Sequence, residues 1–437
     1  MQDIPNNIRK LRAAFVLSEA QIKDIAGEFQ KSMAHGMQGK ESPLKMLPTF
    51  LTTPAGGERG IFLTVDFGGT NVRILLVELK GKGNYEILDR YVFPLTSSRK
   101  GYDFTSETAD GTELFEFIAQ QIRNLIPPGS DFPLGFTFSF PSRQNKVDQA
   151  TLIKWTKEIK TSGVQGRDVS QLFQQALQRK GLYGVKLKAV INDTVGTLLT
   201  AAYGDEYADI GSICGTGHNT CYLEPRSPVT GEQMIINMES GNFNVLPFTG
   251  YDNWLDQRSE IPGEQCLEKM VSGKYIGELT RIIIRDFIEK GLIFKGSCPE
   301  IFTSPYGFKA EDVSTFLEDK GKDLPLITEW LNAAAGISES LLEERITLRT
   351  IASIVVTRST QLVAATYLGV LQHIDPHLNH KHTIAIDGSL YEHTPGYATM
   401  LRATMNNLLK EKPGQVEIKL TKEGSGVGAA VAAALVE

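Results

Sequence analysis

The 437-residue chain is 41% hydrophobic and 22% charged, and its 45 basic and 51 acidic residues leave a net charge of −6. This is the composition of an ordinary globular protein with enough apolar sequence for a core in each of two lobes. It offers no general attraction for nucleic acid or for an anionic membrane.

The four cysteines, Cys214, Cys221, Cys266 and Cys298, form no CxxC pair, which favours free thiols in a reducing cytoplasm. The opening residues lack the apolar stretch of a secretory signal. No apolar run reaches the length of about eighteen residues that a membrane span needs, so no span is expected.

From Ser18 to about Ala34 the spacing is helical, with Ile22, Ile25, Ala26 and Phe29 on one face. Thr52 to Gly60 reads as a loop from its Pro and Gly content. Ile61 to Asp66 is an apolar, β-branched run; GGTN follows, and Val72 to Leu79 resumes as a second strand, which makes a hairpin. A helix is predicted from Gly111, a strand over Leu134 to Phe140 that stops at Pro141, and an amphipathic stretch after Asp168. Val185 to Asp193 reads as another strand, followed by a helix of small residues from Thr194.

The pattern then restarts. Ile210 to Glu224 is again strand, Gly/Thr turn, strand, with GTGHN where GGTN stood before. A later strand, HTIAIDG, ends in a small-residue turn at Asp387 to Ser389. This predicts a weak internal duplication, two α/β lobes with a ligand cleft between them. His377, His380 and His382 have no partner at a recognised metal spacing and read as a solvated loop.

The turns suit phosphate. Glycine lets the backbone approach a polyphosphate, and turn N–H groups point at it. Asp66 stands at a strand end ahead of Gly68, Gly69 and Thr70, where a carboxylate would bind Mg²⁺ directly or through water, and Arg73 would balance phosphate charge. No GxxxxGK[ST] loop occurs, and no GxGxxG turn leads from a strand into a helix. Near the C-terminus, Gly424, Ser425 and Gly426 precede a Gly/Ala helix whose start would favour an anion. Taken singly, a plain hairpin and a tightly packed core helix explain the same residues.

The segments LTVDFGGTNVR, GFTFSFPS, WTKEIKTSGVQGRDV, INDTVGTLLTAAY, GTGHNTCYLE, INMESGNF, PGEQCLEKMVSGKYIGELTR, AIDGSLY and EGSGVGAA stand in this order from about Gly60 to the C-terminus. In them the chain resembles the hexokinase family, the eukaryotic-type hexokinases and glucokinases.

The resemblance implies an α/β, two-lobed, actin-like ATPase fold of the duplicated ribonuclease H-like kind, with a cleft between a small and a large domain. It implies a small domain of 58–192 plus 423–437 and a large one of 1–57 plus 193–422. The implied activity is transfer of the ATP γ-phosphoryl group to the 6-hydroxyl of glucose or a related hexose. A non-catalytic hexose sensor of the same fold is the alternative. A cytoplasmic monomer or homodimer is expected.

Carried over by position, the implied sugar residues are Ser139, Thr156, Lys157, Asn192, Asp193, Asn219, Glu239, Gln265 and Glu268. Asp193 is the implied base, with Lys157 countering charge. The implied nucleotide residues are Asp66, Gly68, Gly69, Thr70, Asn71, Arg73, Thr216, Gly217, Gly388, Ser389, Gly424 and Ser425, with Mg²⁺ near Asp66, through water. The set is chemically coherent, since carboxylates accept from sugar hydroxyls while Asn and Gln amides both donate and accept.

Three positions depart from the family pattern. Ser240 stands where a bulky aromatic usually follows the glutamate, His218 where a smaller turn residue is usual, and Phe67 where Leu is usual. The first predicts a looser wall beside Glu239, the second a variable turn residue, the third little change.

Overall fold

The computed structural model describes residues 3–156, 159–410, 412 and 414–436. Two helices open the chain. Helix α1 (Ile4–Phe15) starts from Asp3, whose carboxylate accepts the Asn6 amide at 3.1 Å. Helix α2 (Glu19–Met37) starts from a capping box in which Ser18 and Gln21 each satisfy the other's amide. The expected face of Ile22, Ile25, Ala26 and Phe29 is buried.

The first sheet has five strands: β1 (Arg59–Phe67), β2 (Asn71–Gly81), β3 (Asn84–Pro94), β4 (Phe132–Phe138) and β5 (Val185–Ile191), in the order β5-β4-β1-β2-β3. β1, β2 and β3 pair antiparallel, whereas β1, β4 and β5 run parallel. Parallel neighbours need crossovers, and α3 (Gly111–Leu125) and α4 (Val169–Arg179) supply them. Strand alternation sends Leu63, Val65 and Phe67 to the face these helices cover, and Phe62 to the opposite face. Helix α5 (Asp193–Ala202) follows β5.

The second sheet repeats the plan with β6 (Ala208–Cys214), β7 (His218–Glu224), β8 (Met234–Asn237), β9 (His382–Asp387) and β10 (Val416–Leu420). Its order is β8-β7-β6-β9-β10, extended beyond β8 by Leu47–Pro48. β6, β7 and β8 are antiparallel; β6, β9 and β10 are parallel.

Between β8 and β9 lies a helical block, including α6 (Gly250–Arg258), α7 (Cys266–Val271), α8 (Gly273–Glu289) and the 33-residue α9 (Leu342–Ile374). Helix α10 (Tyr397–Leu408) joins β9 to β10, and α11 (Gly424–Ala434) follows β10 as α5 follows β5.

The two sheets exchange these last helices. α5 packs on β6 and α11 packs on β1, β4 and β5, while α5 and α11 pack on each other. A Cβ on Gly428 would lie 2.1 Å from the Gly196 carbonyl oxygen, and one on Gly196 2.9 Å from the Ser425 Cα. Glycine at both positions is what lets the helices cross so closely.

Several details differ from expectation. The loop over 52–60 gives way to strand at Arg59. The strand expected to reach Phe140 ends at Phe138, and the Phe140 amide turns back onto the Phe138 carbonyl. The strand expected to include Asp193 ends at Ile191: Asn192 is the N-cap and Asp193 the first helical residue.

Helix α9 carries a stretch long and apolar enough to cross a membrane, yet 89% of that stretch is buried inside the molecule, as in a core helix. On it, Arg358 donates to both Asp252 oxygens at 2.7 and 2.8 Å, well away from water.

His382 is no loop residue. It is the buried first residue of β9, its Nδ1 2.5 Å from Asp209 and its Nε2 3.3 Å from Asp375. No group of three metal-ligating residues occurs among the described residues, and Cys214, Cys221, Cys266 and Cys298 are free.

Candidate active site

The C-terminal ends of the parallel strands of both sheets meet at one place, where open α/β sheets bind ligands. Asp66, near the end of β1, is buried. Its Oδ2 accepts from Ser425 Oγ at 2.7 Å and from Arg73 Nη1 at 3.3 Å. Arg73 lies directly across the hairpin in the β1–β2 register. The carboxylate thus ties the first turn to the start of α11.

In that first turn the Gly68 amide donates to Asn71 O at 3.2 Å, Asn71 Nδ2 donates to Thr70 Oγ1 at 3.0 Å, and Thr70 faces solvent beside Gly69. In the second turn Thr216 is likewise exposed, between Gly215 and Gly217. Its backbone is held from outside: the Gly273 amide donates to Gly215 O at 2.8 Å and the Lys274 amide to Thr216 O at 3.0 Å.

The third turn, Asp387–Ser389, presses on the second. Gly388 has φ +134, and a Cβ there would meet the Cys214 carbonyl carbon at 2.4 Å. Asp387 accepts the Gly424 amide at 3.2 Å. Burial, reinforced by the nearby charges of Glu423 and Asp193, raises its carboxyl to about 6. Asp387 was not among the sequence-predicted site residues, although its setting, a strand-end Asp before a small-residue turn, repeats that of Asp66.

On the opposite side of Asp193 the polar residues form a chain. Asn192 Oδ1 accepts from the Thr194 amide at 3.0 Å and from Asn219 Nδ2 at 3.4 Å. Asn219 Nδ2 also donates to Asn237 Oδ1 at 3.0 Å, and Asn237 Nδ2 donates to Glu239 Oε1 at 2.9 Å. Sequence reasoning missed Asn237; its spacing of two from Glu239 at the end of β8 is the signal that would have found it.

Glu239 and Gln265 are both buried and both left-handed, with φ 54 and 52. Non-glycine residues hold that conformation only where packing imposes it. A Cβ on Gly241 would lie 2.3 Å from Gln265 Oε1, so the Glu239 loop and Gln265 are pressed together. Glu268 Oε2 accepts the His218 amide at 2.9 Å. Asp193 Oδ1 accepts the Thr194 amide at 2.9 Å, at the N-terminus of α5.

The structure therefore brings Asn192, Asp193, Asn219, Glu239, Gln265 and Glu268 into one region, and the three turns with Asp66 and Ser425 into an adjoining one. Ser139 is buried, its amide donating to Phe67 O at 3.3 Å. Thr156 follows Trp155, which packs on Phe67, Phe138 and Phe140 and donates from Nε1 to Thr161 O at 2.8 Å. Lys157 lies outside the described residues.

The three departures have structural meanings. Phe67 is central to the aromatic cluster that holds the Trp155 loop, so it matters more than expected. His218 is not a surface turn residue: burial lowers it to about 4, which keeps the imidazole neutral. Ser240 is fully buried, and its Oγ has no hydrogen-bond partner among the described residues.

Two family models, both for hexokinase, match residues 7–203 and 209–435. Hexokinase-7 of Oryza sativa subsp. japonica is 36% identical across 98% of this chain and 96% of its own length. Hexokinase-2 of Rattus norvegicus is 36% identical across 96% of this chain but 47% of its own, so the chain spans about half the length of the curated mammalian relatives it matches. Among solved structures, a hexokinase from Schistosoma mansoni complexed with glucose superposes with a TM-score of 0.88 at 32% identity, over 99% of both chains. Sequence, topology and site agree: the chain belongs to the hexokinase family.

Proposed function

We propose that the chain phosphorylates glucose and related hexoses, with ATP as donor, giving the hexose 6-phosphate and ADP. The observation that carries this reading is the polar chain Asn192–Asn219–Asn237–Glu239. It lies beside Asp193 on one side of the strand ends, with phosphate-type turns from both sheets on the other.

In this reading Asn192, Asn219, Glu239, Gln265 and Glu268 hold the sugar hydroxyls, with Ser139 and Thr156 closing the other side. An analogue lacking a hydroxyl would leave buried groups unpaired and bind poorly. Asp193 accepts the proton of the attacking hydroxyl. Lys157 counters charge on the transferring group.

Thr70 and Thr216 grip phosphate oxygens from opposite lobes, with Gly68, Gly69, Asn71, Gly217, Gly388, Ser389, Gly424 and Ser425 lining the nucleotide and Arg73 balancing its charge. Phosphoryl transfer is chiefly positioning and charge stabilisation, which such an arrangement supplies.

Asp66 and Asp387 fit a magnesium ion held mainly by nucleotide phosphate and water, as that ion prefers one or two carboxylates. Both carboxylates meet the start of α11, Asp66 at Ser425 Oγ and Asp387 at the Gly424 amide. When bound, the ion neutralises the β and γ oxygens.

We also propose that residues 58–192 with 423–437 form the smaller lobe and 1–57 with 193–422 the larger. The packing of α11 on the first sheet and α5 on the second supports that division. The small Ser240 beside Glu239 supports tolerance of hexoses other than glucose.

The test is hexose-dependent ADP release with ATP–Mg²⁺ over a sugar panel. Turnover with glucose is the expected result. Glucose binding without ADP release would instead establish the non-catalytic sensor. An unchanged sugar ranking in Ser240→Trp would refute the selectivity argument.

A further inference from the structure

An ion pair joins the two lobes beside the sugar site. Lys154 Nζ lies 3.0 and 3.1 Å from the two Glu264 oxygens, across 110 residues of sequence. The side chains are 47% and 53% exposed. Each belongs to a loop anchored to its own lobe.

Lys154 is followed by Trp155, whose ring is fixed in the aromatic cluster of the first sheet, and then by Thr156. Glu264 is preceded by Gly263, whose amide donates to both Asp256 oxygens at 3.0 Å. Lys269 pins the same loop, reaching Asp256 Oδ1 at 2.6 Å and Ile261 O at 2.7 Å. Glu264 is followed by Gln265, held in its left-handed conformation. The pair thus connects two stiff loops, each bearing a candidate sugar residue within two positions.

We propose that Lys154 and Glu264 form a latch that favours the closed arrangement of the lobes and so sets the apparent affinity for sugar. The inference rests on the hexose-kinase reading of the cleft. An exposed pair adds little to the stability of a rigid body. Between two lobes, however, its whole contribution falls on the open–closed balance. Apparent affinity scales with the fraction of protein in the binding-competent form. Lys154 and Glu264 are positioning residues; neither belongs to the sugar set.

The test compares wild type, Lys154→Met, Glu264→Gln and the exchange Lys154→Glu/Glu264→Lys. Glucose binding is followed by calorimetry at about 50 mM and about 500 mM NaCl, since screening shortens the reach of such a pair. Each single variant should weaken binding by about two- to five-fold at low salt, with kcat little changed. The exchange should return affinity to near the wild-type value, and high salt should erase the differences.

Unchanged affinity in the single variants, or an exchange no better than they are, overturns the latch. If wild type binds no glucose, the sugar reading fails and small-angle scattering decides the latch by itself. Lys154→Glu should then enlarge the sugar-free protein and the exchange should reverse this; equal radii of gyration would overturn it.

Discussion

The two halves of the molecule share a strand plan and use it differently. Each opens with a hairpin whose turn exposes a threonine, adds one antiparallel strand, and then returns twice by parallel crossovers. In the first half the turn is tied to its own strands, to Leu95, whose amide donates to Thr70 O at 2.9 Å, and through Asp66 to Ser425 at the start of α11. In the second half the turn is wedged between Gly388, the start of α8 and the Glu268 carboxylate. The same local chemistry yields one grip with room beside Gly68 and one packed from outside by Gly388 and the start of α8.

The cores differ in buried charge: the first half packs Phe67, Phe138, Phe140 and Trp155 together, whereas the second adds to its own cluster of Phe302, Phe308, Phe316 and Trp330 buried ion pairs such as Arg358–Asp252. Breaking the buried pair should have the largest effect. Arg358→Met strands Asp252 without its partner and should cost about 3–5 kcal/mol, read as a lowered denaturation midpoint. Phe67→Leu removes only part of one ring from the first core and should cost about 1–2 kcal/mol. Equal losses would dissolve the contrast.

Acid should act on the second half through His218. The unfolded imidazole takes up a proton near its ordinary 6.5, but the buried one only near 4. Between those values the unfolded chain holds more protons, so stability falls as pH falls, by up to about 3 kcal/mol. His218→Gln should flatten that part of a pH–stability curve; an unaltered slope would show that His218 is not responsible.

The glycines sharpen the comparison further. Gly388→Ala meets backbone at 2.4 Å and a disfavoured φ, and should cost about 1–3 kcal/mol. In the first turn, the nearest atom to a Cβ on Gly68 is Asn71 O at 3.8 Å, and Gly68→Ala should change stability by no more than about 1 kcal/mol. The smallest effect is kinetic: amides of Gly69 and Thr70 should exchange with deuterium faster than those of Gly273 and Lys274. The reverse order would contradict the distinction between grips.

Both hairpins were legible in the sequence because alternation and a Gly/Thr turn are local signals. So were the helix starts at Ser18 and after Asp168, read from amphipathic spacing; the structure adds that both residues are caps whose side chains accept amides two or three residues on. Helix α9 was not legible, because a helix buried nearly all round carries no amphipathic stripe. The partners of His382 were invisible for another reason: Asp209 lies 173 residues away and meets it only through the parallel pairing of β6 with β9.

Within the site, the motif residues could be carried over by resemblance. Asn237 and Asp387 stand within those motifs but were not singled out, since their importance comes from what they touch. Asn237 links Asn219 to Glu239, and Asp387 receives the amide that opens α11.

The most direct test of the account replaces Asp193 by Asn and compares glucose-dependent ADP release with wild type under saturating ATP–Mg²⁺. Loss of the base should lower turnover by about 10²–10⁴-fold, while glucose binding, carried by Asn219, Glu239 and their neighbours, persists. A variant that binds glucose and still turns over at the wild-type rate would contradict the role assigned to Asp193 and the mechanism built on it.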